Sequence, residues 1–77
     1  MDKIHAMQLF IRVAELESFS RAADTLGLPK GSVSRQIQAL ENHLGTQLLH
    51  RTTRRVSLTQ DGEALHAALE KFAPQFA

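Results

Sequence analysis

The side chains best suited to chemistry in this sequence are basic, and they are concentrated between residues 29 and 57. Five basic residues stand there against one acidic residue, a net charge of +4 within a 77-residue chain whose total is +1. The charged residues are Lys30, Arg35, Glu41, Arg51, Arg54 and Arg55. A local excess of positive charge is what a surface facing phosphate groups requires, because attraction to a nucleic acid acts through the contact face. The alternative is a solvated charge cluster without a partner.

Residues suited to other chemistry are scattered. The histidines are His5, His43, His50 and His66. They lie on separate predicted elements without an acidic or cysteine cluster at ligand spacing, so we expect no metal site. No glycine-rich phosphate loop or Ser/His/Asp order stands out, and we predict neither an enzyme nor a bound cofactor.

The composition also bears on the compartment. The chain has no cysteine, which fits a reducing cytosol, and its N-terminal stretch is neither a signal peptide nor a membrane span. We expect a cytoplasmic protein with no membrane partner.

Two helices are predicted before residue 28. The first covers residues 3–16, where apolar side chains recur at helical spacing. These side chains are Ile4, Met7, Phe10, Ile11, Val13 and Ala14. A short second helix covers residues 21–26, preceded by the hydroxyl groups of Ser18 and Ser20 and followed by Gly27, which can take a positive φ.

A third helix follows a tight turn. Pro29 and Gly31 are expected to keep the chain out of helix until Ser32, and Gly45 closes the helix after Leu44. Its periodic positions are Val33, Ile37, Leu40, Glu41 and Leu44. A small residue at Ala23, a glycine at Gly27 and an apolar anchor at Val33 are typical of a helix-turn-helix, in which two short helices cross steeply. An ordinary helical hairpin is the alternative for these three positions.

The segment after the third helix predicts a basic β-hairpin. Residues 48–58 combine β-branched residues with alternation around a polar centre, and Val56 and Leu58 are expected to face inward. Arg51, Arg54 and Arg55 would then cluster at or near the tip, where arginine can reach into a minor groove. Helices followed by a basic hairpin make up a winged helix.

The last segment predicts a further helix from Thr59, whose hydroxyl can cap it, with Asp61 and Glu63 near its positive end. Its apolar residues Leu65, Leu69, Phe72 and Phe76 have the spacing of a coiled-coil seam. Pro74 is expected to kink or end the helix near Ala73. The alternative is a seam folded back onto the domain core.

Four stretches of the sequence resemble the N-terminal domain of LysR-type transcriptional regulators. They are residues 19–28 (FSRAADTLGL), 33–41 (VSRQIQALE), 44–59 (LGTQLLHRTTRRVSLT) and Gly62. The resemblance implies a winged helix-turn-helix on double-stranded DNA, followed by a linker helix that pairs two subunits. It also implies a larger C-terminal domain that binds a small-molecule effector. That domain is absent here, so we expect a DNA-binding fragment of a longer protein.

The sequence departs from the family pattern at three places. The turn before the third helix reads Pro29-Lys30-Gly31 where the family commonly has Ser-Gln-Pro or Ser-Gln-Ser. If Lys30 occupies the position of a base-reading glutamine, a donor-only ammonium replaces a group that both donates and accepts. Thr53 stands where glycine is frequent, and Leu49 replaces a frequent phenylalanine.

These observations together predict a mainly α winged helix-turn-helix, of three helices and a two-stranded wing, over residues 1–58. Residues 59–77 are predicted to begin a linker and dimerisation helix. The N-terminal residues of a recognition helix face base edges in the major groove, which selects Lys30, Ser34 and Arg35. The predicted phosphate contacts are Ser20, Arg21, Ser32 and Gln38. The predicted wing contacts are Arg51, Arg54 and Arg55.

The predicted dimer contacts are Leu65, Leu69 and Phe72, which would make the protein a homodimer. The alternative function is a winged-helix module that binds protein, because fold does not decide function.

Overall fold

A computed structural model of the chain describes residues 3–51 and 56–72. The elements in chain order are α1 (Lys3–Leu16), α2 (Phe19–Leu26), α3 (Lys30–Leu44), β1 (Leu49–His50), β2 (Ser57–Leu58) and α4 (Gln60–Phe72). The two strands pair antiparallel, with Leu49 opposite Leu58 and His50 opposite Ser57. The predicted fold class, a mainly helical winged helix-turn-helix, is confirmed.

The core lies between α1, α2 and α3 and extends under the wing. Its fully buried large side chains come from α1, α3 and β1 and from the loop before β1. They are Leu9, Phe10, Ile11, Val13, Val33, Ile37, Leu40, Leu48 and Leu49. Val56 is buried in the same cluster and Leu58 packs against it, as the alternation of the hairpin predicts. Leu49, which replaces a frequent phenylalanine of the family, is fully buried.

The helix-turn-helix is formed by α2, the turn at Gly27 and α3. Ser18 caps α2: its Oγ accepts a hydrogen bond from the backbone N–H of Arg21 at 3.1 Å. Gly27 ends the helix in the left-handed region at φ 69°, where a side chain would be strained. Ala23 and Val33 are buried, at the positions where the small residue and the apolar anchor were predicted.

Two predicted helix starts were wrong. The third helix begins at Lys30 and not at Ser32, because Pro29 acts as its N-cap with an extended backbone and Gly31 lies within the first turn. Proline restricts the residue before it but is tolerated at a helix start, where its missing N–H has no helical partner. The second helix begins at Phe19, so Ser20 lies within it.

The start of α4 is tied to the loop before β1. The Thr59 hydroxyl accepts from Gly62 N–H at 3.0 Å, as a cap does, and donates to the Gln47 carbonyl at 2.6 Å. The Thr59 N–H donates to the Leu48 carbonyl at 3.0 Å. Leu65 and Leu69 are half-buried and pack against the core cluster. Residues Ala73, Pro74 and Phe76 lie outside the described residues, as does the predicted kink.

Candidate nucleic-acid interface

The outward face of α3 carries the residues predicted to read bases. Val33, Ile37 and Leu40 turn into the core, which leaves the opposite side of the helix to solvent. Arg35 is exposed on that side, Lys30 is exposed at the first residue of the helix, and Ser34 is half-buried. The Arg35 guanidinium lies against Gly31, since a Cβ built on Gly31 would be 3.0 Å from Nη1.

The start of α2 faces the start of α3 across an open cleft of about 500 Å³. The cleft is lined by Ser18, Phe19, Ser20, Lys30, Gly31, Ser34, Arg51 and Val56. It brings together Ser20, Lys30 and Ser34, which the sequence predicted to contact DNA from two different helices. Arg21 is exposed on the first turn of α2, where the unpaired N–H groups of a helix favour an anion.

The other predicted phosphate contacts lie elsewhere on α3. Ser32 is half-buried, and its Oγ accepts a hydrogen bond from Gln36 Nε2 at 3.2 Å. Gln38 is exposed two turns further along and lines a second open groove together with Arg51.

Arg51 is placed differently from an arginine at the tip of a hairpin. It directly follows β1, and its Nη2 donates to Glu41 Oε1 at 2.9 Å. Its Cζ atom lies 5.2 Å from the centre of the Phe19 ring. Arg54 and Arg55, which the sequence assigned to the wing tip, lie outside the described residues, as does Thr53.

Sequence reasoning missed the part played by Glu41. Its side chain is only 7% exposed, and its two carboxylate oxygens accept three hydrogen bonds from residues 48, 49 and 51. The available signal was its position: Glu41 belongs to the core-facing stripe of α3, where an acidic residue is expensive to bury unless it is paired.

The predicted dimer contacts lie on α4. Leu65 and Leu69 contact the core, so the alternative of a seam folded back onto the domain accounts for part of their surface. Both remain half-exposed, and α4 includes Phe72, whose side chain lies outside the described part.

Neither a metal cluster nor a membrane-spanning helix occurs in the described part of the chain. Within residues 3–51 and 56–72, no three His, Asp or Glu side chains are grouped closely enough to hold a metal ion. None of the helices in this part of the chain has the length and apolar character needed to cross a bilayer.

The winged helix-turn-helix with a polar outward face on α3 defines the class of protein. A family model described as "Bacterial regulatory helix-turn-helix protein, lysR family" matches residues 4–63. The chain therefore belongs to the lysR family of bacterial regulatory helix-turn-helix proteins, which are regulators of transcription. The family predicted from the sequence is confirmed.

Individual relatives agree with this assignment. The chain is 84% identical over 62 residues to the HTH-type transcriptional regulator YhjC of Escherichia coli (strain K12), covering 80% of this chain and 21% of that protein. It is 58% identical over 64 residues to an HTH-type transcriptional repressor of Pseudomonas aeruginosa (strain UCBPP-PA14), covering 83% of this chain and 20% of that protein. The chain thus spans about a fifth of the length of these curated relatives.

A solved structure shares the fold. The crystal structure of the BenM DNA-binding domain in complex with catB site 1 DNA is similar to this chain with a TM-score of 0.88 and 39% sequence identity. The similarity covers 97% of this chain and 82% of that one.

Proposed function

We propose that this domain binds double-stranded DNA in a sequence-specific way, with α3 in the major groove and the wing in the minor groove. The observation that carries the proposal is the start of α3, where Lys30 and Ser34 line the cleft beside the start of α2 and Arg35 is exposed on the outward face. The N-terminal residues of a recognition helix meet base edges in this geometry. The DNA complex of the similar BenM domain supports the proposal.

The side chains of the proposed interface differ in the part of the DNA that they would contact. Lys30, Ser34 and Arg35 read bases, since arginine and lysine suit the acceptor edge of guanine. Phosphates are held by Ser20, Arg21, Ser32 and Gln38. Arg54 and Arg55 supply the wing contacts, whose strength depends on the width and potential of the minor groove.

The remaining proposals concern the longer protein. Residues 1–58 form the DNA-binding unit, and residues 59–77 begin a linker helix that pairs two copies through Leu65, Leu69 and Phe72. The half-exposed side chains of Leu65 and Leu69 support pairing, because a second copy would cover the apolar surface that the core leaves open. The protein acts in the cytoplasm as a regulator without enzymatic activity. A small-molecule effector binds only to a further C-terminal domain.

The salt dependence of DNA binding tests the central proposal. Each phosphate neutralised by a basic side chain releases counterions, so log affinity falls with log salt by roughly 0.9 per contact. Titration of a fluorescent duplex should give a slope of roughly −2 to −4 per domain for a surface with this many basic groups. Arg21→Gln is expected to make this slope shallower by about 1 because it removes one phosphate contact.

Arg12→Gln is the matched control. Arg12 lies on α1 in a partly exposed pair with Glu15, at 3.8 Å, so the same charge is lost outside the proposed interface. Its slope should equal that of the parent. An affinity that hardly changes with salt, or no affinity for any duplex, would favour the protein-binding alternative.

A further inference from the structure

We propose that Glu41 and Arg51 form a positioning pair that sets the wing relative to the recognition helix, and that Arg51 acts through this pair and not by contacting DNA. The inference rests on the proposed function and deepens it, because it assigns a specificity role to two residues beneath the interface. It separates Arg51 from Arg54 and Arg55, with which the sequence groups it.

Glu41 holds the beginning of the wing from the last turns of α3. Its Oε2 accepts hydrogen bonds from the backbone N–H groups of Leu48 at 2.7 Å and Leu49 at 3.2 Å. Its Oε1 accepts from Arg51 Nη2 at 2.9 Å. One nearly buried carboxylate of the recognition helix therefore binds the chain before, within and after β1. Hydrogen bonds to a charged acceptor are short and strong, so this attachment is stiff.

The guanidinium of Arg51 contacts two other side chains of the domain. Its guanidinium pairs with Glu41 and lies over the ring of Phe19, the first residue of α2, while its side chain is 30% exposed. A DNA phosphate would have to compete with a carboxylate that is already in place and would be left buried without its partner, which is costly. The charges of Arg51 and Glu41 also cancel, so the net +4 of residues 29–57 rests on the other four basic residues.

The far side of the wing is anchored as well. Val56 is buried, and its backbone N–H donates to the carbonyl of Glu17, in the turn between α1 and α2, at 3.4 Å. Glu17 itself has a positive φ of 54°, which few non-glycine residues adopt. Residues 51 and 56 are thus both attached to the helical body, and in the sequence they flank the segment that contains Arg54 and Arg55. The Glu41–Arg51 pair is one of these two attachments.

Glu41→Gln tests the proposal because a purely electrostatic effect and a loss of positioning would change the affinity for DNA in opposite directions. The substitution removes a negative charge near the interface, so electrostatics by itself predicts tighter binding to DNA. A positioning pair predicts weaker binding, by roughly 3- to 10-fold, where a tenfold change corresponds to about 1.4 kcal/mol. Arg51→Lys is the second variant. It keeps the positive charge for a phosphate but loses the planar guanidinium that reaches Glu41 and covers Phe19.

A ratio of affinities separates positioning from a general loss of stability. Each protein is titrated with two duplexes that share a core site and differ in A·T or G·C flanks, which the wing distinguishes by groove width. A partly unfolded sample binds both duplexes less well and keeps the ratio. A displaced wing moves the ratio towards 1, and we expect this for Glu41→Gln and for Arg51→Lys. Circular dichroism gives the folded fraction.

Glu15→Gln is the control for Glu41→Gln, since it removes the same charge from the pair on α1 and should leave the ratio unchanged. A Glu41→Gln protein that binds as tightly as the parent or more tightly, with the parental ratio, overturns the positioning pair. So does an Arg51→Lys protein with parental affinity and ratio. If the parent binds no duplex, the proposed function fails instead, which keeps the two failures distinguishable.

Discussion

Gly62→Ala is expected to destabilise the domain, although alanine is the better helix former. Gly62 lies in the first turn of α4, where the helix meets the loop before β1. A Cβ at this position would lie 2.1 Å from the Leu48 carbonyl oxygen and 3.0 Å from its carbonyl carbon. A carbon–oxygen contact is about 3.3 Å or longer, so the two backbones must separate by roughly 1 Å.

The expected loss of stability follows from the hydrogen bonds and packing that this separation would disturb. Thr59 N–H donates to the same Leu48 carbonyl at 3.0 Å, and the Thr59 hydroxyl donates to Gln47 at 2.6 Å. Each net hydrogen bond contributes about 1 kcal/mol, and forcing a methyl group into a packed site costs about 1–3 kcal/mol. Better helix propensity returns at most about 1 kcal/mol. The balance is a loss of roughly 2–3 kcal/mol in the free energy of unfolding.

Urea and thermal unfolding followed by circular dichroism measure this loss. For a domain of this size 1 kcal/mol corresponds to about 4–8 °C, so Tm should fall by roughly 10–20 °C. Gly31→Ala is the matched control: it is also a glycine in the first turn of a helix, but its Cβ would meet only the far end of the flexible Arg35 side chain. That variant should be as stable as the parent or slightly more stable. The reasoning is refuted if Gly62→Ala unfolds at or above the parental temperature.

Two further predictions concern the interface and the dimer. Arg35→Ala should cost roughly 1–3 kcal/mol in DNA binding and relax the preference at one or two base pairs, whereas Arg54→Ala should weaken binding more evenly across core-site variants. A panel of single-base duplexes measured for both variants checks this, and an unchanged profile for Arg35→Ala would contradict the role of α3. The parent should sediment as a dimer. Leu69→Asp should shift it towards monomer, because burying a carboxylate in the apolar contact is costly. Circular dichroism must show that this variant is folded, because Leu69 also packs against the core. A parent that is monomeric at high concentration would rule out pairing through α4.

Much of the fold could be predicted because its signals are local. The apolar periodicity of residues 3–16 reproduces α1, and Gly27 and Gly45 end α2 and α3 with the positive φ expected of them. The helix starts were less predictable. Whether Pro29 precedes a helix or interrupts one depends on whether the following residues pack, and Lys30 and Gly31 join α3 because Val33 and Ile37 anchor its first turns in the core.

The residues of the candidate site also differ in how far the sequence could predict them. Lys30, Ser34 and Arg35 could be selected from the sequence because the N-terminal residues of a recognition helix face base edges. The helical repeat also places Arg35 opposite Val33 and Ile37. Glu41 and Arg51 could not be paired in this way. They are ten residues apart on different elements, and only the path of the chain from α3 into β1 brings their charges to 2.9 Å.

By itself the sequence determined the order of the elements, the stripe that each helix buries and the concentration of positive charge on residues 29–57, because these depend on residue type and spacing. Only the tertiary structure decided which charges are available to a ligand. The packing of β1 against α3 encloses Glu41 and turns Arg51 inward, and the approach of α4 to Leu48 leaves no room for a side chain at Gly62. Both results depend on distances between elements that no local pattern encodes.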